Sequence, residues 1–120
     1  MTPEELLAHL DDDTLDPAAF HHEQHVMTAW AALRQPGAEQ RICRGLKSLA
    51  ERADRAERYD EQLTKGFLRL IESRLRRAPD AAWPEFRELF PELFSLAAAK
   101  HALRELASPA DEEGRGKQRR

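Results

Sequence analysis

The chain has 120 residues, a formal net charge of −3 and 34% charged residues, which fits a single domain with a hydrophobic core of its own. The negative charge argues against a nucleic-acid-binding surface spread over the domain, and no apolar run is long enough to span a membrane. We expect a cytoplasmic location, because the first residues lack a signal-peptide pattern and the single cysteine, Cys43, excludes an internal disulfide.

Almost every segment of the chain has a helical pattern. β-branched hydrophobic residues are too few for a sheet, since the chain has one valine, Val26, and two isoleucines, Ile42 and Ile71. Short connections predict an all-α fold, a compact bundle of five to six mostly antiparallel helices. One domain is expected over residues 1–107, followed by a disordered charged tail over residues 108–120 that contains no large apolar residue.

The helices are delimited by capping residues and by proline. The first begins at Thr2, with Pro3 at its first helical position and Glu5 completing a capping box. The second follows Asp16 and Pro17, and a Pro-Gly turn ends it near residue 34. The other helices are expected at about 38–53, 55–77, 84–90 and 91–107.

Two histidines of the second helix fall on the face that is predicted to be buried. Counting about 100° per residue from His22 places His25 at about 300°, Val26 at about 40° and Ala29 at about 340°. A buried imidazole needs partners for both nitrogens, so two of them on neighbouring turns predict a polar pocket. His21, at about 260°, is expected at the rim or in solvent.

The fourth predicted helix has a second polar cluster beside its apolar stripe. With Tyr59 at 0°, the stripe is centred near about 50°, Asp60 falls at about 100° and Thr64 at about 140°. Tyr59 therefore lies near the centre of the buried face, and Asp60 is the carboxylate expected to reach the interior. Arg74 lies beside the same stripe and is expected to extend its aliphatic part along it, the alternative being an anion-binding role.

These groups allow three interpretations if the second and fourth helices pack side by side. His22, His25 and Asp60 would suit a divalent metal such as Zn²⁺, Fe²⁺ or Mn²⁺ with open coordination positions. Without a metal, a histidine held by a carboxylate is a general acid or base near neutral pH, and Tyr59 can donate a hydrogen bond to an oxyanion. The third interpretation is a satisfied polar core, in which His25 bonds to Asp60 or Tyr59 and only specifies the packing.

Two segments, Phe20–Val26 and Tyr59–Thr64, also carry a pair of motifs. The pair resembles the F-x-H-x-x-H and Y-H-E-T-x-T motifs of a family of small bacterial all-helical proteins without an assigned activity, and the likeness covers about residues 15–75. His22 and His25 match the first motif, whereas Tyr59, Glu61 and Thr64 match the second. Asp60 stands where the family has histidine and Gln62 where it has threonine. The resemblance implies a functional pocket in which a carboxylate replaces one of three histidines, and this exchange either retunes the site or marks a member that has lost it.

The sequence therefore predicts a protein that binds a small molecule or a metal between its second and fourth helices, with acid/base or metal-assisted catalysis left open. Its predicted site residues are His22, His25, Asp60 and Tyr59, with Thr64 and Arg74 as further substrate-binding positions. The alternative is a non-catalytic helical adaptor or subunit that contacts a protein partner or a second copy of the chain. Neither a membrane nor a nucleic acid is an expected partner, because no predicted helix is basic enough to be a recognition helix.

Overall fold

The computed structural model describes residues 1–106, which form a compact all-helical bundle without a strand in that range. The all-α prediction is confirmed, and the predicted tail over residues 108–120 lies outside the described residues. The helices are α1 (Pro3–Asp11), α2 (His22–Leu33), α3 (Ala38–Arg52), α4 (Glu61–Arg77), α5 (Trp83–Leu89) and α6 (Leu96–Leu106). Three short 3₁₀ turns lie at Pro17–Ala19, Ala56–Arg58 and Pro91–Phe94. None of the helices within residues 1–106 combines the length and the apolar character needed to cross a membrane.

The first helix begins as the sequence predicts. The Thr2 hydroxyl accepts a hydrogen bond from the Glu5 N–H at 3.0 Å, and the Glu5 carboxylate accepts one from the Thr2 N–H at 2.8 Å. This reciprocal capping box satisfies two backbone donors at the start of α1. Local sequence therefore fixes this end of the helix.

The predicted second helix is wrong at its start, because the chain breaks before His22. Asp16 caps the separate Pro17–Ala19 turn by accepting a hydrogen bond from the Ala18 N–H at 3.0 Å. Phe20 and His21 are extended, and Gln24 accepts a hydrogen bond from the His21 N–H at 2.9 Å. The side chains of Asp16 and Gln24 thus satisfy backbone N–H groups locally, so these donors remain paired where the helix is interrupted.

The predicted fourth helix is also wrong at its start. After the Ala56–Arg58 turn, Tyr59 is extended and Asp60 is the N-cap of α4, where its carboxylate accepts a hydrogen bond from the Leu63 N–H at 3.0 Å. Aspartate is among the best N-caps, so a helix begins readily at Glu61. The angles assigned above to Tyr59 and Asp60 on one continuous helix therefore do not apply.

The last predicted helix is broken in the same way. The chain forms the Pro91–Phe94 turn, and Ser95 then accepts a hydrogen bond from the Ala98 N–H at 3.3 Å. The serine hydroxyl supplies the same kind of local partner as Asp60 does. A separate α6 begins at Leu96 as a result.

Helix α2 lies at the centre of the bundle, in contact with α1, α3, α4 and the Pro91–Phe94 turn. The buried indole of Trp30 lies 5.5 Å from the Trp83 ring and 6.2 Å from the Phe86 ring. Aromatic pairs at such distances stabilise packing beyond the area that they bury. This aromatic cluster fixes α5 against α2.

Helices α1 and α3 come unusually close at Gly45. A Cβ atom at this position would lie 2.5 Å from Cγ of Leu10, whose side chain is fully buried. Arg44 crosses the same contact and donates a hydrogen bond to the Asp11 carbonyl at 2.9 Å, near the end of α1. The approach thus depends on the absence of a side chain at residue 45.

Candidate ligand-binding cavity

A cavity of about 490 Å³ lies among α2, α3, α4 and α6. Most of its wall is apolar, with Ile42, Leu49, Phe67 and Ile71 among the lining residues. Its polar and charged lining residues are His22, His25, Arg55, Arg58, Tyr59, Asp60 and Thr64. The cavity therefore combines a mainly hydrophobic interior with a small set of groups that can bind polar atoms.

The cavity is partly open to solvent, and we call its exposed part the mouth. We define the mouth by the lining residues whose side chains are exposed: His25, Arg55, Arg58, Asp60, Leu63 and Leu96. The two leucines are 38% and 48% exposed, respectively. The charged lining residues thus all lie at the mouth, and the deeper wall is apolar apart from His22, Tyr59 and Thr64.

His22 is fixed by a backbone contact from a distant part of the chain. Its Nε2 atom lies 2.7 Å from the carbonyl oxygen of Leu93, in the Pro91–Phe94 turn. Because a carbonyl only accepts, Nε2 carries the hydrogen, and Nδ1 of the neutral ring is left as an acceptor. The imidazole also meets the Phe67 ring edge-on, at a centroid distance of 6.2 Å. The hydrogen bond therefore orients the ring and selects its tautomer.

His25 has no such anchor. Its ring lies 4.6 Å from the Phe20 ring, and no hydrogen bond to it is formed within residues 1–106. Burial lowers the pKa of His25 from 6.5 to about 4, and the nearby His22 also lowers it. Surrounding protein disfavours the charged ring although solvent reaches it through the mouth, so at neutral pH it is an uncharged donor and acceptor.

Tyr59 lines the cavity, and its hydroxyl is buried without a hydrogen-bond partner among the described residues. Burial raises the pKa of this hydroxyl, and the neighbouring Cys43 and Glu61 raise it further. Tyr59 therefore stays protonated. Its predicted role as a donor to a substrate oxyanion gains no support from this position, since the oxygen is enclosed by protein.

Asp60 and Thr64 are occupied by the start of α4. The Asp60 carboxylate caps the Leu63 N–H, and the Thr64 hydroxyl donates a hydrogen bond to the Asp60 carbonyl at 2.9 Å. The hydrogen bond from His25 to Asp60 or Tyr59 that the polar-core interpretation requires is not formed within residues 1–106. Asp60 is at the mouth as a helix cap rather than as the partner of a histidine.

The structure thus brings His22, His25, Tyr59, Asp60 and Thr64 to one cavity. They do not form a metal centre, since the described residues contain no group of three or more His, Cys, Asp and Glu side chains that could hold a metal ion. The metal interpretation remains a prediction that this geometry does not support.

Arg74 lies elsewhere. It does not line the cavity, and its Nε atom binds the Glu92 carboxylate at 2.8 Å. This ion pair joins α4 to the Pro91–Phe94 turn. Arg74 therefore supports the element that carries Leu93 and does not reach the cavity itself.

Sequence reasoning missed Arg55 and Arg58, which lie on the wall of the cavity. The predicted fourth helix, over about residues 55–77, has both arginines in its first turn. They reach the mouth because α3 ends in a Schellman turn, in which Asp54 is left-handed (φ 60°) and the Arg55 N–H binds the Ala50 carbonyl at 2.8 Å. The residue types in this segment do not predict the turn, because its left-handed position is usually glycine and here is Asp54.

Comparison with protein-family models, with curated proteins and with solved structures finds no match for this chain. The resemblance to the bacterial family with the two histidine motifs accordingly stays a prediction.

Proposed function

We propose that this protein binds a small, largely apolar molecule in the cavity between α2, α3, α4 and α6. The observation that carries the proposal is the size of the cavity, about 490 Å³, together with its apolar wall. Protein interiors are close-packed and contain few voids larger than a water molecule. Pockets for small-molecule ligands have volumes of roughly 300–1,000 Å³ and the same mixture of an apolar wall with a few polar groups.

The volume gives an approximate scale for the part of the ligand that the cavity encloses. If each non-hydrogen atom takes about 30 Å³, the share of one molecule in liquid water, the cavity has room for roughly 16 such atoms. The four alanines on the wall, Ala29, Ala50, Ala53 and Ala99, leave this space open. A bicyclic aromatic compound or a medium-length alkyl chain is of the right size.

Binding fits the histidines better than acid/base catalysis does. A general base works best with a pKa near the operating pH. The pKa of His25 is lowered to about 4, so its ring is a weak base, and the Nε2 of His22 is already bound to the Leu93 carbonyl. Both rings are suited to hydrogen bonding a polar group of the ligand.

The experiment is a titration with the neutral dye N-phenyl-1-naphthylamine, whose fluorescence rises in apolar surroundings. We expect saturable binding at one site, and we expect Ala50→Leu to weaken it at least about tenfold, because Ala50 is on the cavity wall and a leucine there occupies the space. The matched control is Ala8→Leu, at an exposed position of α1 away from the cavity. Absence of binding, or an Ala50→Leu protein that is folded and binds like the wild type, would contradict the proposal.

A further inference from the structure

The mouth of the cavity carries two arginines without partners. The guanidinium groups of Arg55 and Arg58 form no ion pair and no hydrogen bond within residues 1–106, although both side chains line the cavity. Several other arginines are engaged, as Arg41 is with Asp11 and Arg87 is with Glu23. Arg55 and Arg58 are therefore free to bind a group that is not part of the described chain.

The nearby carboxylates do not neutralise these arginines. Asp60 is the one acidic residue of the cavity lining, and its carboxylate is bound to the Leu63 N–H at 3.0 Å. Glu61 does not line the cavity and pairs with Lys65 at 3.3 Å. Arg55, Arg58 and Asp60 therefore give the mouth a net charge of one positive unit. The Asp60 carboxylate already accepts one hydrogen bond, from the Leu63 N–H.

His25, an uncharged group at the mouth, can also donate a hydrogen bond to an acceptor atom of a ligand. His25 is at the mouth with both ring nitrogens free of hydrogen bonds to residues 1–106, and its neutral ring offers one N–H donor. Thr64 has already donated its hydrogen, to the Asp60 carbonyl. The available donors at the mouth are thus two guanidinium groups from the segment between α3 and α4 and one imidazole from α2.

We infer that the ligand is an amphipathic monoanion whose carboxylate lies at the mouth, between Arg55, Arg58 and His25, with its apolar body against the deeper wall. Guanidinium groups bind carboxylates through parallel N–H donors, and such charge-assisted bonds are stronger than neutral ones. The cavity has the matching arrangement, because its arginines lie at the mouth and its deeper wall is mainly apolar. This inference rests on the proposed function and adds the chemical class of the ligand.

The test compares 2-naphthoate with 2-naphthamide, two probes of the same shape that differ in charge. At low salt we expect the wild type to bind naphthoate at least about tenfold more tightly than naphthamide, with the preference reduced at high salt because the mouth is open to solvent. The double variant Arg55→Ala/Arg58→Ala should lose the preference and keep its affinity for the amide. Both arginines are exposed and unpartnered, so the fold should persist, as circular dichroism would verify.

The control is Arg104→Ala, which removes an exposed arginine of α6 that does not line the cavity. It should bind both probes like the wild type. Equal affinity of the wild type for the two probes, or a preference unchanged in the double variant, would overturn the inference while leaving the proposed function intact. Failure of the neutral dye to bind as well would instead remove the proposed function, so the two failures are distinguishable.

Discussion

At the scale of single residues, the two cavity histidines differ in what holds them. His22 is tied to the Leu93 carbonyl at 2.7 Å, whereas the His25 ring touches Phe20 and has no hydrogen bond within residues 1–106. Both ring nitrogens of His25 are thus free to bind a ligand, whereas Nε2 of His22 is already engaged. His25 is therefore the histidine whose environment should change most on binding.

The lowered pKa of His25 predicts a dependence of stability on pH. The unfolded chain takes up a proton near pH 6.5 and the folded chain only near pH 4, so the free energy of unfolding should fall as the pH drops through this window. Above about pH 7.5 the ring is neutral in both states and makes no contribution. Urea unfolding of the wild type and of His25→Gln between pH 7.5 and 4.5 measures the difference.

In that experiment the wild type should lose more stability on acidification than His25→Gln does. His101→Gln is the matched control, since it removes an exposed histidine of α6 that does not line the cavity. Parallel profiles for the wild type and His25→Gln would show that His25 titrates alike in the folded and unfolded chains.

The sequence predicts the composition of the cavity better than the contacts of each residue. Spacing along α2 places His22 and His25 together because their helical phase is set within one uninterrupted helix. Asp60 and Tyr59 reach the cavity for a reason that periodicity cannot give, since both precede α4 and are extended. The hydrogen bond of His22 to Leu93 joins residues 71 positions apart and depends on tertiary packing alone.

At the scale of helices, three breaks separate the structure from the continuous helices that the pattern predicts. They occur at Phe20–His21, Tyr59–Asp60 and Ser95. In each case an aspartate, glutamine or serine side chain satisfies a backbone N–H, so a cap competes with continuation of the helix. The apolar pattern continues across these breaks and does not reveal whether a cap or a continued helix is more stable. The sequence therefore predicts that these segments are helical but not where each helix begins.

Two glycine substitutions should differ in their effect on stability because the two glycines meet their neighbours at different distances. Gly45→Ala should lower the free energy of unfolding by about 1–3 kcal/mol, because the new methyl group would lie 2.5 Å from Cγ of buried Leu10. Gly66→Ala in α4 is the control. Its Cβ would meet the half-buried Leu103 at 3.2 Å, a contact that a small shift relieves, while the helix gains up to about 1 kcal/mol.

Urea unfolding of both variants tests this pair. The result expected is a destabilised Gly45→Ala and a neutral or stabilised Gly66→Ala. A Gly45→Ala protein as stable as the wild type would mean that the two helices separate at little cost.

At the scale of the whole molecule, the Pro91–Phe94 turn connects α2 to α4. Its Leu93 carbonyl holds His22, and its Glu92 carboxylate holds Arg74 of α4. Leu93 itself is almost completely buried and lines the cavity. The turn therefore links the position of α4 to one wall of the cavity.

A double-mutant cycle on Arg74 and Glu92 should give a coupling free energy of about 1 kcal/mol. The Arg74 side chain is only 18% exposed and that of Glu92 33%, so the pair is less screened than a surface pair. The variants are Arg74→Met, Glu92→Gln and the combination, measured by urea unfolding. Arg76 and Glu72 provide the comparison, since they form an exposed pair one helical turn apart that should couple by at most about 0.5 kcal/mol. Equal coupling in the two pairs would contradict a structural role for Arg74.

The aromatic cluster has a practical consequence. Trp30 and Trp83 are the only tryptophans of the chain, and their rings lie 5.5 Å apart on the contact between α2 and α5. Neither ring lines the cavity. Intrinsic tryptophan emission therefore reports on whether α5 is docked, whereas a naphthyl ligand emits from a different place in the bundle. Folding can thus be followed by intrinsic fluorescence at a place that is separate from the site at which a ligand would bind.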